Sequence, residues 1–234
     1  MTKKSALITG GNKGIGLEVT RYLLENDFCV IVVARDFKGF EFSRNSDVTT
    51  IVYNLENTEG IPSLVKSIGS VDVLVNNAGV MYALPFDNYP QQKIDKMLRV
   101  NLESPIALIR EVSRYMIRNQ RGRIVNNASI AGQIGHPDIW YGMTKSALIN
   151  ATKSFSKILG PKGILINSIA PSPVETDMLS VIPKDRRNAF KDTVITNRFA
   201  YPKEVAKAIG WLATDSPDYI NGTCLDINNG SFPR

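Results

Sequence analysis

The chain is short of cross-linking residues. Its 234 residues include two cysteines, Cys29 and Cys224, far apart in sequence and without metal-ligand spacing. Neither a disulfide nor a metal site is expected; both residues fall in apolar, strand-like runs and read as buried free thiols. Histidine is rarer still, His136 being the only one. No run of about 18 apolar residues occurs, so no membrane-spanning helix is expected. The opening "MTKKSALITGG" has two lysines but meets glycines before an apolar segment of signal-peptide length develops, and a soluble, cytoplasmic protein is the expectation. Like charges do not cluster either. The formal net charge is +6, yet Lys and Arg are scattered, so nucleic acid is not an expected partner. An anionic small molecule or an acidic carrier accounts for the charge equally well. Linker-like composition, internal repeats and low-complexity tracts are missing too, and one domain over 1–234 is expected.

What is present is alternation. Hydrophobic residues make up 43% and charged residues 21%, enough for a sizeable core. "SALIT" (5–9) reads as a strand and 14–26 as a helix. "FCVIVVA" (28–34), "VTTIVY" (48–53) and "VDVLVN" (71–76) follow as strands, with a short helix near 61–68. The stretch 90–118 is mostly helical, "GRIVNNAS" (122–129) holds a fifth strand, and a long helix runs over 138–160. "GILINSIA" (163–170), a helix near 202–213 and "TCLDIN" (223–228) complete the series. Continuous apolar strands alternating with helices mean a parallel sheet covered on both faces. Right-handed crossovers then give an α/β, Rossmann-type doubly wound sheet of about seven strands flanked by helices.

The turn "TGGNKGIG" (9–16) joins the first strand to the first helix. Gly10, Gly14 and Gly16 fall where a tight turn, close approach of a phosphate and tight helix packing need a missing side chain. The helix N-terminus behind them offers free N–H groups and the positive end of a dipole to a pyrophosphate. The spacing departs from the ordinary dinucleotide fingerprint, since three residues separate Gly10 from Gly14; a turn serving packing alone is the competing reading. The second strand ends "VVARD". An acidic residue there would hold the ribose hydroxyls of NAD, a cation the 2′-phosphate of NADP. Arg35, with Lys13 from the glycine turn, outnumbers Asp36, and NADP(H) is the expected cofactor.

Within "WYGMTK", Tyr141 and Lys145 stand one helical turn apart and share a face. A ketone that accepts hydride develops negative charge on oxygen and needs a proton. A free phenol, with a pKa near ~10, holds its proton too tightly to exchange it easily at neutral pH. A lysine ammonium at ~4 Å contributes about 4 kcal/mol at an effective dielectric of ~20, or roughly three pKa units. Lys145 alone would thus bring the phenol near its working range. Taken alone, the two residues could equally be an aromatic and a charge on a surface helix.

These motifs, together with "NNAG" (76–79), "VN" (100–101), "GRIVNNAS" and "INSIAPSPVETDM" (166–178), come in an order and spacing that resemble the classical short-chain dehydrogenase/reductase family over the whole chain. Within it, the segment from 166 and the ending "CLDINNG" (224–230) look most like β-ketoacyl-(acyl-carrier-protein) reductases. The resemblance implies a catalytic set of Asn101, Ser129, Tyr141 and Lys145. Tyr141 is then the proton donor, Lys145 its tuner and a partner of the nicotinamide ribose. Ser129 donates to the substrate oxygen, and Asn101 holds a water near Lys145. It implies NADP(H) contacts from Gly10, Asn12, Lys13, Gly14, Ile15, Gly16, Arg35, Asn54, Leu55, Asn77, Ala78, Gly79, Pro171, Val174 and Thr176, besides Tyr141 and Lys145. His136, Trp140 and Met178 would face the substrate under a lid at 177–200, and relatives of this kind usually form homotetramers.

The chain departs from that pattern in places. Asn54 replaces the usual Asp, Ser172 the usual Gly, and 36–48 is short for the family's second helix. Leu165 stands where the acyl-carrier reductases have an Arg, although Arg118, Arg121 and Arg123 keep a basic cluster nearby. The expected activity is NADPH-dependent reduction of a carbonyl to an alcohol, on a 3-oxoacyl thioester of acyl carrier protein or on another ketone such as a small metabolite, sugar or polyketide. A non-catalytic NADP-binding sensor or scaffold is the remote alternative, since such a protein would be expected to lose the Tyr or the Lys.

Overall fold

The computed structural model describes residues 3–233. Seven strands, β1 (Lys4–Thr9), β2 (Phe28–Ala34), β3 (Val48–Val52), β4 (Val73–Asn76), β5 (Gly122–Asn127), β6 (Ile164–Pro171) and β7 (Cys224–Ile227), pair in parallel in the spatial order 3-2-1-4-5-6-7. The order reverses between β1 and β4, which pair as Ala6↔Val73 through Ile8↔Val75. A crevice outside the carboxyl ends of these two strands is where such a sheet binds ligands.

Helices α1 (Gly14–Glu25) and α7 (Pro202–Thr214) cover one face. Their stripes Val19–Leu23 and Val205–Ile209–Leu212 pack on Ala6, Ile8, Val30 and Val32. Helices α2 (Ile61–Ile68), α4 (Ser104–Arg118) and the end of α5 (Ile139–Leu159) cover the other, with Ile61, Leu108, Ile109 and Met116 on Leu7, Leu74 and Ile124. Helix α3 (Gln91–Leu98) runs into α4 through a π-helical stretch, Arg99–Glu103. Among the described residues no helix is long and apolar enough to cross a membrane.

The inner strands are buried as expected, whereas the outermost ones are not. Thr49, Thr50 and Val52 of β3 are exposed, and β7 is half-buried throughout, because each borders only one neighbour. For the same reason Cys224 is only half-buried, and Cys29 of β2 is half-buried as well. Between β2 and β3 the chain makes turns and no helix. Three aromatics take the helix's place: Phe40 is buried, with ring centroids 5.6 Å from Phe37 and 5.9 Å from Phe42, and the Arg21 guanidinium lies 5.1 Å over Phe42.

One excursion interrupts the scaffold between β6 and α7. The chain leaves and returns at a Val174↔Ala200 bridge, where Glu175 N–H donates to Ala200 O at 2.9 Å. It carries a 3-10 stretch, Asp177–Val181, and a helix α6 (Lys184–Lys191), which the residue pattern alone does not signal.

Candidate active site

The glycine turn sits at the switch point of the sheet. Gly10 and Gly14 have φ of +64° and +55°, the left-handed region that favours glycine. Gly16 has ordinary dihedrals but no room: a Cβ there would stand 2.0 Å from the Gly10 carbonyl oxygen. Helix α1 begins at Gly14 with no side-chain cap and no acidic residue in its first turn. Its first N–H groups and positive dipole end are thereby left to an anion. Ile15 packs against the core beneath.

Neighbouring segments lock the turn. Asn77 Nδ2 donates to Thr9 O at 3.1 Å and Gly10 O at 3.2 Å, while the N–H groups of Asn77 and Ala78 both donate to Thr9 Oγ1 at 3.0 Å. Asn12 Nδ2 donates to Asp36 O at 2.9 Å, tying the turn to the end of β2. Thr176 lies against the turn, its Cγ2 3.2 Å from where a Gly14 Cβ would be. Pro171 and Val174, which lead to Thr176, are buried.

The charges around the crevice are unevenly committed. Arg35 is exposed at the end of β2 and makes no ion pair among the described residues. Asp36 turns inward on its own loop, its carboxylate accepting from Lys38 N–H at 3.2 Å. Lys13 Nζ lies 3.5 Å from the Asp177 carboxylate at the start of the excursion. Asn54 is exposed after β3, its amide oxygen accepting from Glu56 N–H at 3.2 Å; Leu55 is buried. A dinucleotide phosphate therefore meets an uncapped helix end, a glycine cradle and an exposed guanidinium. The crevice fits an anionic dinucleotide.

Four more residues converge farther along the crevice. Ser129, just past β5, N-caps a short 3-10 turn, its Oγ accepting from Ala131 N–H at 3.1 Å. Tyr141 and Lys145 lie on the buried side of α5, with the Lys145 ammonium 5.7 Å from the Tyr141 ring centroid. Lys145 Nζ donates to Asn127 O at 2.7 Å. Asn127 in turn donates to Asn77 Oδ1 at 2.9 Å, so the lysine is linked to the glycine turn through two amides. Asn101, in the π-helical stretch, holds Val80 from both sides: it accepts from Val80 N–H at 2.8 Å and donates to Val80 O at 2.9 Å. A Cβ on Gly79 would lie 3.5 Å from Asn101 Oδ1 and 3.6 Å from Lys145 Nζ, which places that glycine between them.

The electrostatics differ from what the helical spacing suggests. Burial pushes the Tyr141 phenol up to about 12; the Ser129 hydroxyl pulls the other way and the Asp138 charge adds to the rise. Burial also lowers the Lys145 ammonium to about 8. Lys145 thus does not bring the phenol down by itself. Desolvation is the largest effect on both groups, and the ammonium directs its hydrogen bond at a backbone carbonyl. At neutral pH the phenol is protonated, the form a proton donor needs.

Apolar and aromatic residues surround the phenol. Met81, Met97, Ala131 and Tyr141 form a buried cluster, with Tyr82, Tyr89, Trp140, Met178 and Ile182 against it. The His136 ring centroid is 5.6 Å from that of Tyr141, and burial lowers the imidazole below its ordinary range. Of the three expected pocket residues, His136 therefore lies beside Tyr141, and Trp140 and Met178 pack against its cluster. The residue that sequence reasoning missed is Asp138, wholly buried at the N-cap of α5. Its position three residues before Tyr141, directly after Pro137, is a helix-start signal. The basic cluster disperses: Arg123 points inward to Ser216 and Leu212 O and pairs with Asp218 at 2.7 Å, and Arg118 stacks on Tyr115.

Comparison with known proteins gives a consistent picture. Residues 4–187 match the family model for short chain dehydrogenase. A 3-oxoacyl-[acyl-carrier-protein] reductase of Rickettsia prowazekii is 32% identical, with 98% of this chain and 97% of the relative covered. The enzyme of that name from Vibrio cholerae is 31% identical over the same shares. Among solved structures, ElxO with NADP bound is 30% identical, superposes with a TM-score of 0.88, and is covered over 99% of its length by 98% of this chain. With a matching model over most of its length and relatives of this identity from end to end, the chain belongs to the short-chain dehydrogenase family.

Proposed function

We propose that the protein reduces a carbonyl to an alcohol with NADPH, and that its substrate is a 3-oxoacyl thioester. The observation that carries this reading is the buried Tyr141–Ser129–Lys145 group set along the crevice from an uncapped helix end. The names of the relatives point to the same substrate class, and the NADP bound to a 30% identical structure points to the cofactor.

Gly10, Asn12, Gly14, Ile15 and Gly16 would hold the pyrophosphate, Arg35 and Lys13 the 2′-phosphate, and Asn54 and Leu55 the adenine side. Asn77, Ala78 and Gly79 would line the adenosine ribose, with Pro171, Val174 and Thr176 toward the nicotinamide end. NADPH, when bound, supplies the hydride that makes the carbonyl carbon a CH. The chain's own residues handle the oxygen. Ser129 donates a hydrogen bond to it, as a one-donor oxyanion site. Tyr141 gives its phenolic proton, and C=O becomes CH–OH. Lys145, cationic at neutral pH, stabilises the phenolate left behind until solvent returns a proton. Asn101 acts through Val80, holding the loop that faces Lys145.

Residues 177–200 form a lid over the pocket, with Met178 and Ile182 already against the aromatic cluster. The protein works in the cytoplasm as a homotetramer. Ile139, Met143 and Ile158 expose apolar surface on α5, and Trp211 and Tyr219 do so beside β7.

Replacing Tyr141 with Phe tests the assignment. Turnover of acetoacetyl coenzyme A is expected to fall by ~10²–10⁴, with NADPH affinity nearly unchanged. Near-normal kcat would reject it. A second reading, a reductase for another ketone, draws on Leu165 and on the inward-facing Arg123, which leave few cations for an acidic carrier. Parallel assays with acetoacetyl thioesters and simple ketones separate the two.

A further inference from the structure

The wholly buried carboxylate of Asp138 gathers three donors from two separate parts of the chain. Tyr141 N–H, in the first turn of α5, donates to Oδ1 at 3.1 Å. Ala83 N–H donates to Oδ2 at 2.9 Å, and Tyr89 O–H lies 3.1 Å from both oxygens. All three partners are donors, so the side chain acts as an acceptor only. Ala83 and Tyr89 belong to the segment after β4 that carries Met81 and Tyr82 into the cluster beside Tyr141.

Two details show that this arrangement is held under load. Ala83 has φ of +54°, a left-handed conformation that a residue with a Cβ adopts at a cost. Its N–H is the group that Asp138 anchors. Asp138 is itself fixed from behind: its own N–H lies 3.2 Å from His136 Nδ1. The same Nδ1 lies 3.1 Å from the Asp138 carbonyl oxygen, so the imidazole meets both backbone groups of residue 138.

We infer that Asp138 is a positioning residue that couples the pocket segment 80–89 to the proton donor, so that one carboxylate sets both the carbonyl's seat and the place of Tyr141. The inference rests on the reading of Tyr141 as proton donor. An amide at 138 cannot replace the carboxylate. It must turn an NH₂ group toward an N–H or O–H that needs an acceptor, and leaving a buried donor unpaired carries its full desolvation penalty. The groups facing Tyr141 from each packed element are Ser129 after β5, Lys145 on α5, and His136 and Asp138 before it. Of these, only Asp138 also bonds the pocket segment.

The test compares two variants of the full chain, saturated with NADPH and assayed with acetoacetyl coenzyme A, or with whichever ketone the wild type turns over. Asp138→Asn is expected to lower kcat about tenfold or more. The solvent deuterium isotope effect on kcat should rise, because proton delivery is misaligned, while NADPH affinity stays within about twofold of wild type. Tyr89→Phe keeps the bonds to Ala83 and Tyr141 and loosens only the segment, so KM should rise several-fold and more than kcat falls. A merely structural role predicts parallel loss of NADPH binding and turnover with the isotope effect unmoved, and that result overturns the inference. So does Asp138→Asn with wild-type kcat. If Asp138→Asn does not fold, the Tyr89→Phe split decides: a kcat loss without a KM rise rejects the coupling. A wild type and a Tyr141→Phe variant of equal activity would instead reject the proton-donor reading itself.

Discussion

Replacing Gly16 with alanine sets two effects against each other. Alanine is the better helix former, by about 1 kcal/mol in a helix interior, and Gly16 lies in the first turn of α1. Against this, the new Cβ would stand 2.0 Å from the Gly10 carbonyl oxygen, 2.5 Å from Asn77 Nδ2 and 2.8 Å from the Gly10 carbonyl carbon, where ordinary contact begins at 3.4 Å. Two of those atoms are backbone and cannot swing aside. The gap must open by about 1.4 Å (3.4 − 2.0), and the atom pushed is one that Asn77 holds at 3.2 Å in a turn already at positive φ. Overpacking of this kind costs roughly 1–3 kcal/mol, so the clash outweighs the propensity gain. It also moves the N–H groups proposed to meet the pyrophosphate. NADPH titration by fluorescence should show Kd raised about tenfold or more, the equivalent of ~1.4 kcal/mol, with a lowered melting temperature. Gly79→Ala is the matched control, since its Cβ would find only ordinary contacts at 3.5 and 3.6 Å; its stability should stay within about 0.5 kcal/mol of wild type. A Gly16→Ala protein that melts and binds NADPH like the wild type would refute the argument.

Lys145 gives a pH-dependent prediction. Its folded pKa of about 8 lies below the ordinary 10.5, so between these values the unfolded chain binds more protons, and the burial penalty, complete below pH 8, is relieved as pH rises. Stability should therefore climb over that window by an amount on the order of 3 kcal/mol. The climb reverses toward pH 12 as Tyr141, whose folded pKa is raised, begins to favour the unfolded state. Urea melts from pH 7.5 to about 9.5 should show that slope in the wild type and lose it in Lys145→Met, which should be inactive yet no less stable at pH 7; equal slopes would contradict the assignment. Arg35→Ala should weaken NADPH binding about tenfold and leave NADH nearly unaffected, as measured by paired Kd values; equal losses would remove Arg35 from the 2′-phosphate site. Phe40→Ala should destabilise the fold by about 3–5 kcal/mol in urea melts, because no helix backs that part of the sheet; a loss below ~1 kcal/mol would show the aromatic cover to be dispensable.

The scaffold was largely legible because its signals are local. The continuous apolar run at 28–34 ends at the charges Arg35 and Asp36, and the glycines at 60 and 69 bracket the short helix at 61–68; both elements fall at the expected residues. The glycine turn could be read for similar reasons, since a missing side chain is visible in a sequence. Helix α6 could not be read, because "KDRRNAFK" has no apolar stripe and buries no residue. The protonation of Tyr141 is not legible in the sequence, because four-residue spacing reports that two groups share a face, not that both lose water. Asp138 stayed hidden because two of its three partners lie some fifty residues upstream, in a segment with no periodic pattern. Arg123 illustrates the opposite error: it is grouped with its neighbours in sequence, but its side chain runs inward across the α7 end.

The bridge between Val174 and Ala200 closes the excursion at its base, and Ile195 N–H and Thr196 N–H bond Asn229, just past β7, as a second joint. Register in β6 is set on the scaffold side by its pairing with β5 and β7, while Arg198 of the excursion pairs with Glu204 in the first turn of α7 at 2.6 Å. Loop closure grows only logarithmically with length, and doubling the insert adds about 0.6 kcal/mol. The proposed lid between those two joints can therefore be lengthened at little cost in closure entropy. On the proposed lid reading, selectivity for one carbonyl over another separates from the proton chemistry beneath it, and a chimera carrying a relative's insert between residues 177 and 193 is the direct way to move one without the other.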